Sequence, residues 1–144
     1  TGNGAPRPLF VLLDGTWSEA RKMFRKSPLL DPLPVLSLLP EQAHQYQLAQ
    51  YQLRRSHCDS QFCTSEVAAL CLHLAGDTLA ALTLQAYLAV FSHHYLRAKQ
   101  QLPVDRASPA HQRLQVLIAE QHQQALLANH HRQPPSAQAN AAPD

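Results

Sequence analysis

A short polar turn holds the residues with the clearest chemical potential: Asp14, Gly15, Thr16 and Trp17 are consecutive. A carboxylate such as that of Asp14 can accept a proton from a reacting group. The indole of Trp17 offers a flat face against which a purine or a cationic sulfonium can pack. The same residues also fit a structural role, in which Asp14 and Thr16 cap a helix and Trp17 packs in the core.

A basic run follows the turn, with four positive charges in six residues, and a second basic pair lies further along the chain. These residues are Arg21, Lys22, Arg25, Lys26, Arg54 and Arg55. Like charges four residues apart on a helix repel, so an unpaired stripe of this kind costs stability. The pattern fits contact with an anionic partner such as the phosphates of RNA. A solvated helix face is the alternative.

The cysteines and histidines point away from metal and thiol chemistry. The three cysteines, Cys58, Cys63 and Cys71, are odd in number and form no CxxC pair, so we expect neither a disulfide framework nor a zinc site. Reduced thiols are typical of a cytoplasmic protein. His93 and His94 are adjacent on a predicted helix and should point to different sides, which favours surface positions over a metal pair.

The elements around the turn are predicted to be a strand and a helix. Residues 9–13 are five consecutive apolar residues, typical of a strand buried on both faces. Thr16 followed by Glu19 is a capping box, which marks a helix start, and Pro28 limits that helix. Ligands of open α/β sheets bind at the carboxyl ends of strands, where Asp14 would lie.

The rest of the chain predicts two further strands and three helices. The strands are expected over 35–39 and 46–54. Helices are expected from Thr64 or Ser65 to about Leu74, over 78–98, and from the cap at Ser108 to about His130. The second of these is apolar nearly all round, which predicts a central, buried helix. Residues 1–8 read as a loop, and residues 133–144 as a disordered tail.

Length and composition narrow the function classes. The 144 residues, 45% of them apolar, suit one globular domain. The four glycines form neither a GxGxxG nor a P-loop pattern, which excludes both nucleotide-binding motifs. The most apolar stretch, residues 79–91, is shorter than the ~20 residues of a membrane span. We therefore expect no membrane partner.

Several segments together resemble one family. LLDGTWSEARKM, at residues 12–23, resembles the signature of the DTW-domain proteins, the tRNA-uridine aminocarboxypropyltransferases. Weaker pieces agree in order along residues 9–100. They are Ser27-Pro28, Leu33-Pro34, YQLR at residues 51–54 and CTSE at residues 63–66.

The resemblance implies a fold, a reaction and site residues. The fold would be an α/β, SPOUT-like sheet with flanking helices and a helix-rich carboxyl-terminal half. The enzyme would transfer the 3-amino-3-carboxypropyl group of S-adenosylmethionine to N3 of a tRNA uridine and release methylthioadenosine, without a metal. Asp14 matches the signature carboxylate and would be the base. With tRNA as the substrate, the charge of the basic residues named above leads us to expect that they contact it. Cofactor-side positions would be Gly15, Thr16, Trp17, Leu36, Ser37, Leu38, Cys63, Thr64 and Glu66.

The chain also departs from the family pattern. Family members usually carry an upstream half with a cysteine cluster and further strands, which predicts that residues 9–132 form a partial DTW-type domain. Pairing with a second copy would supply missing sheet neighbours, so a homodimer is one expectation. Two other functions stay open: a SPOUT-type RNA methyltransferase and a non-catalytic RNA-binding fragment.

Overall fold

A computed structural model of the chain describes residues 8–37 and 62–130. The described residues form four α-helices and one short 3-10 helix. In chain order these are α1 (Trp17–Arg25), the 3-10 helix (Pro28–Leu30), α2 (Thr64–Leu74), α3 (Thr78–Lys99) and α4 (Pro109–His130). The predicted strand at 46–54 and the predicted disordered tail at 133–144 lie outside the described residues.

Local capping explains where the helices begin and end. At the start of α1, the Thr16 N–H donates to Glu19 Oε2 at 2.8 Å and the Glu19 N–H donates to Thr16 Oγ1 at 3.4 Å. This confirms the predicted capping box. Asp77 caps α3 by accepting from the Ala80 N–H at 3.3 Å. Between α2 and α3, Gly76 has φ +81°, a conformation that side-chain-bearing residues rarely adopt.

The three long helices pack side by side, with α3 contacting both α2 and α4. Ala86 of α3 packs with Leu114 and Leu117 of α4, while Leu70 of α2 is fully buried. The predicted central position of α3 is therefore confirmed. The predicted burial all round is wrong, because an aromatic face of this helix is exposed. The exposed fractions are 60% for Tyr87, 55% for Phe91 and 49% for Tyr95.

The predicted α/β fold with a SPOUT-like sheet is wrong for the described residues, which contain helices and no strand. Residues 9–13 form neither a helix nor a strand, and no described segment pairs with them. A buried strand needs hydrogen-bonded neighbours and cover on both faces. Here Leu9 is 90% exposed and Val11 is exposed, whereas Phe10 and Leu12 are partly buried. Leu13 is partly buried as well, and no residue of this segment is fully buried.

The predicted strand at 35–39 is likewise not formed over its described part, residues 35–37, which are irregular and exposed. Within the described ranges, none of the helices has the length and apolar character that crossing a bilayer requires.

Candidate active site

The turn before α1 and the start of α2 are joined by one side-chain hydrogen bond. The Thr64 hydroxyl donates to Asp14 Oδ1 at 2.5 Å, across 50 residues of chain. Both residues were singled out from the sequence, and the fold brings them together. Asp14 remains exposed, and among the described residues its Oδ2 receives no hydrogen bond. The carboxylate is thus held at one oxygen and open at the other.

An apolar cleft of about 460 Å³ lies beside this pair. Its walls are the extended segment 9–13, α1, residues 33–36 and the beginning of α2. Among the predicted cofactor-side residues, it is lined by Gly15, Trp17, Leu36 and Thr64. A volume of this size falls within the ~300–1,000 Å³ range of small-molecule sites.

Trp17 is a wall of the cleft rather than a core residue. It lines the cleft and is 69% exposed, so the structural alternative of a buried tryptophan does not apply. Asp14 does not cap α1 either, since Thr16 makes the capping contacts. Gly15 leaves limited room at the bend, because a Cβ there would lie 3.2 Å from the Glu19 Cβ.

A second cavity, of about 590 Å³, lies on the other side of Thr64. One wall is polar and comes from Asp14 and the first residues of α2. The opposite wall is the aromatic face of α3. The lining residues are Asp14, Cys63, Thr64, Ser65, Leu84, Tyr87, Leu88 and Phe91. Thr64 lines both cavities, whereas Asp14 lines this second cavity and not the apolar cleft.

Two predicted cofactor-side residues are used as helix caps. Thr16 donates from its hydroxyl to Glu19 Oε2 at 2.6 Å, and this bond lowers the pKa of the Glu19 carboxyl. Glu66 is 2% exposed and accepts from the Cys63 N–H at 2.7 Å. Neither Thr16 nor Glu66 lines either cavity. Their side chains position the turn and the start of α2.

The described thiols are held in their protonated form. Burial, reinforced by the neighbouring Glu66 carboxylate, raises the pKa of the Cys63 thiol. Burial also raises the pKa of Cys71, which lines the apolar cleft and was not predicted as a site residue. A raised pKa disfavours the thiolate that nucleophilic attack requires. Cys63 thus contributes its backbone and its volume to the site.

The basic run forms an exposed face on α1. Arg21, Lys22, Arg25 and Lys26 are all exposed, and within residues 8–37 and 62–130 none of them makes an ion pair. Arg21, Lys22 and Arg25 lie on α1 and Lys26 is its C-cap, so the four charges form one positive patch facing solvent. Ser37 is exposed and lines neither cavity. Leu38, Arg54 and Arg55, also predicted as site residues, lie outside the described residues.

A cluster of histidines lies between α3 and α4 and is not predicted by the sequence. His94 Nε2 lies 2.8 Å from His111 Nε2, and Ser108 Oγ lies 2.8 Å from His111 Nδ1. His93 Nε2 lies 3.5 Å from Asp105 Oδ2. The rings of His93 and His94 are 5.8 Å apart and have different polar partners, Asp105 for His93 and His111 for His94. The signal lay in His111, one helix away, which sequence spacing does not connect to them.

Comparison with known protein families identifies the family of this chain. The family model described as DTW domain matches residues 1–96, two thirds of the sequence. The chain therefore belongs to the DTW-domain family, the family of the tRNA-uridine aminocarboxypropyltransferases, and this supports a general role in tRNA modification. The match confirms the resemblance seen in the sequence and ends within α3. No solved structure matches the chain.

Proposed function

We propose that this member of the DTW-domain family transfers the 3-amino-3-carboxypropyl group of S-adenosylmethionine to N3 of a uridine in tRNA. The observation that carries the proposal is the position of Asp14, which lines one cavity and accepts a hydrogen bond from Thr64, a residue that lines both cavities. Family membership supplies the substrate class. The structure contributes a carboxylate with one oxygen free toward solvent and an apolar cleft beside it.

Asp14 would act as the general base. Uridine N3 carries a proton in its neutral form, and it becomes nucleophilic when that proton leaves. The Thr64 hydroxyl occupies Oδ1, so Oδ2 is the oxygen that would accept this proton. General base catalysis of this kind contributes about 10²–10⁴-fold to a rate. Thr64 would be a positioning residue, because it touches Asp14 and fixes the direction of its free oxygen.

The apolar cleft fits S-adenosylmethionine. Its volume is adequate, its lining is mainly apolar, and Trp17 offers a ring face for an adenine base or a sulfonium group. When bound, S-adenosylmethionine supplies a carbon activated by the adjacent sulfonium sulfur, with methylthioadenosine as the leaving group. The contribution of the chain is to hold this donor beside Asp14 and to align it with the nucleophile.

The exposed basic face of α1 would contact the tRNA backbone. α1 begins two residues beyond Gly15, so phosphates bound along the helix would lie close to the carboxylate. Phosphate contacts fix the position of a nucleic acid without reading its bases. Arg21, Lys22, Arg25 and Lys26 would therefore orient the tRNA rather than select the uridine.

Product analysis tests the reaction. The protein is incubated with unmodified tRNA and S-adenosylmethionine, and nucleosides and small-molecule products are identified by mass spectrometry. The proposal predicts aminocarboxypropyl-uridine together with methylthioadenosine. S-adenosylhomocysteine and a methylated nucleoside would instead establish the methyltransferase alternative. Binding of tRNA with neither product would support a non-catalytic RNA-binding role.

Asp14→Asn tests the base. The amide keeps the size of the side chain and can still accept from Thr64, but it is not a proton acceptor at neutral pH. Transfer should fall by roughly 100-fold or more, with the melting temperature preserved because Asp14 is exposed. Asp31→Asn is a matched control, since Asp31 is exposed and lines neither cavity. Equal turnover in Asp14→Asn and Asp31→Asn would remove Asp14 from the mechanism.

A further inference from the structure

The aromatic face of α3 has no part in the function proposed so far. Tyr87, Phe91 and Tyr95 recur every fourth residue, and Lys99 continues the same row. Residues four apart lie on one side of a helix. The three rings are between 49% and 60% exposed. This row lies away from α4, since the residues that pack toward α4 are Leu79, Leu82, Ala86 and Val90.

We infer that the cavity between this face and Asp14 receives an unpaired nucleobase of the RNA, with Tyr87 and Phe91 as stacking residues. The inference rests on the proposed function, because it names where the target uridine would lie. The cavity has a volume of about 590 Å³. It is separate from the apolar cleft and shares Thr64 with it.

The apolar and polar lining residues of the cavity match the faces and the edge of a nucleobase. A nucleobase has apolar faces and a hydrogen-bonding edge, and proteins bind unpaired bases by stacking on the faces and bonding to the edge. Here Tyr87 and Phe91 provide rings on one side. Asp14, Thr64 and Ser65 provide a carboxylate and two hydroxyls on the other. A wholly apolar partner would leave Asp14 Oδ2 and the Ser65 hydroxyl without a hydrogen-bonding group to meet, whereas the Thr64 hydroxyl already donates to Asp14 Oδ1.

The placement also satisfies what enzymes acting on a base require. A base within a duplex is inaccessible, so the target must be unpaired or turned out of its stack before it reaches the reactive group. A base in this cavity would be beside Asp14, whereas the donor cleft is on the far side of Thr64. A base there would contact Asp14 itself, whereas a donor in the apolar cleft would adjoin Gly15 and Thr64.

Tyr95 and Lys99, the remaining residues of the row, could contact the nucleotides next to the bound base. The Phe91 and Tyr95 ring centroids are 6.3 Å apart and their planes differ by 30°, so both rings present faces in similar directions. Lys99 at the end of the row is exposed. Aromatic rings followed by a cation are the combination that binds single-stranded nucleic acid.

Binding of unmodified tRNA by ring-deletion variants tests the inference. Tyr87→Ala and Phe91→Ala should each raise the Kd for tRNA by roughly 5- to 100-fold, the effect of removing one base–aromatic stack. Tyr87→Phe keeps the ring and should retain the wild-type Kd. Val116→Ala, an exposed position on α4, is the control for a smaller apolar surface. The affinity for S-adenosylmethionine, measured by calorimetry, should stay unchanged in all four.

The outcomes separate this inference from the proposed function. If the wild type binds tRNA and both alanine variants bind it equally well, the stacking site is refuted while the transfer reaction stands. If the alanine variants lose tRNA affinity but the wild type yields no aminocarboxypropyl-uridine, the base site stands and the reaction fails. If the variants convert a dimer to a monomer in sedimentation without any change in tRNA affinity, the face pairs two copies and the inference is overturned.

Discussion

Residues 8–37 and the three long helices differ in how they are held. Within residues 8–37 no residue is buried, and large apolar side chains such as Leu9 and Trp17 are mostly exposed. All the buried residues of the described ranges belong to residues 63–117. They include the core of Ala86, Leu114 and Leu117. One region is packed, and the other lies against it around an open cleft.

The residues that stabilise the fold and the residues proposed for catalysis and binding lie in different regions. Apolar burial, which drives folding, is concentrated in α2, α3 and α4. Asp14, Trp17 and the basic face of α1 are on the exposed region, where they are accessible to ligands. The Asp14–Thr64 hydrogen bond joins the two regions.

The largest expected effect is on the free energy of unfolding, and it is tested by one substitution in the packed region and one in the exposed region. Leu70→Ala removes a fully buried side chain and should lower the free energy of unfolding by about 2–5 kcal/mol. Leu9→Ala, at a position that is 90% exposed, should change it by less than about 0.5 kcal/mol. Urea denaturation followed by circular dichroism measures both. Equal decreases would contradict the division into a packed and an open region.

The second largest expected effect is a loss of tRNA affinity when the basic residues of α1 and its C-cap are reversed in charge. Reversing Arg21, Lys22, Arg25 and Lys26 to glutamate should weaken tRNA binding and reduce the slope of log K against log salt by about one for each phosphate that is no longer neutralised. Stability should change little, because these side chains are exposed. Arg113→Glu on α4 and Arg21→Glu make a matched single-charge pair. A slope that is the same in both would place the RNA-binding surface elsewhere.

A smaller effect concerns the donor cleft. Trp17→Ala should weaken S-adenosylmethionine binding roughly 3- to 10-fold, since an aromatic contact contributes about 0.5–1.5 kcal/mol beyond its buried area. Trp17→Phe should restore part of the affinity. Calorimetry gives the affinities, and unfolding measurements should show little change because the ring is 69% exposed. Undiminished affinity in Trp17→Ala would mean that the donor does not contact this wall.

The smallest effect is a pH dependence confined to the packed region. Desolvation, with added repulsion from His111, His93, Arg106 and Arg97, lowers the pKa of His94 below its ordinary value of 6.5. The unfolded chain therefore binds more protons than the folded chain near that pH, so stability should fall as the pH drops below about 6.5. Asp105 is the acidic group nearby, 3.5 Å from His93.

Thermal unfolding between pH 5 and pH 8 measures this dependence. His94→Gln should make it less steep without abolishing it, because burial also lowers the pKa of His73. His122→Gln, at an exposed position on α4, is the control. A profile in His94→Gln that is as steep as in the wild type would locate the titration at another group.

The sequence alone determined the helices and the family, because both depend on local patterns. The Thr16–Glu19 pair marks the start of α1, and Pro109 opens α4, since capping joins groups within one helical turn. The signature at residues 12–23 identified the family that the comparison confirmed. The same local reasoning wrongly made residues 9–13 a buried strand, because an apolar run does not specify its neighbours.

Only the tertiary structure decided how distant segments meet. The Asp14–Thr64 bond joins residues 50 positions apart, and the contact between His94 and His111 spans 17. The two cavities and the exposed row on α3 likewise depend on which helices pack against one another. Such contacts result from packing summed over whole helices and from the closure of the chain between them. The spacing of residues in the sequence contains no information on either packing or chain closure. It therefore indicated which residues are candidates for the site, but not which of them lie close together in the fold.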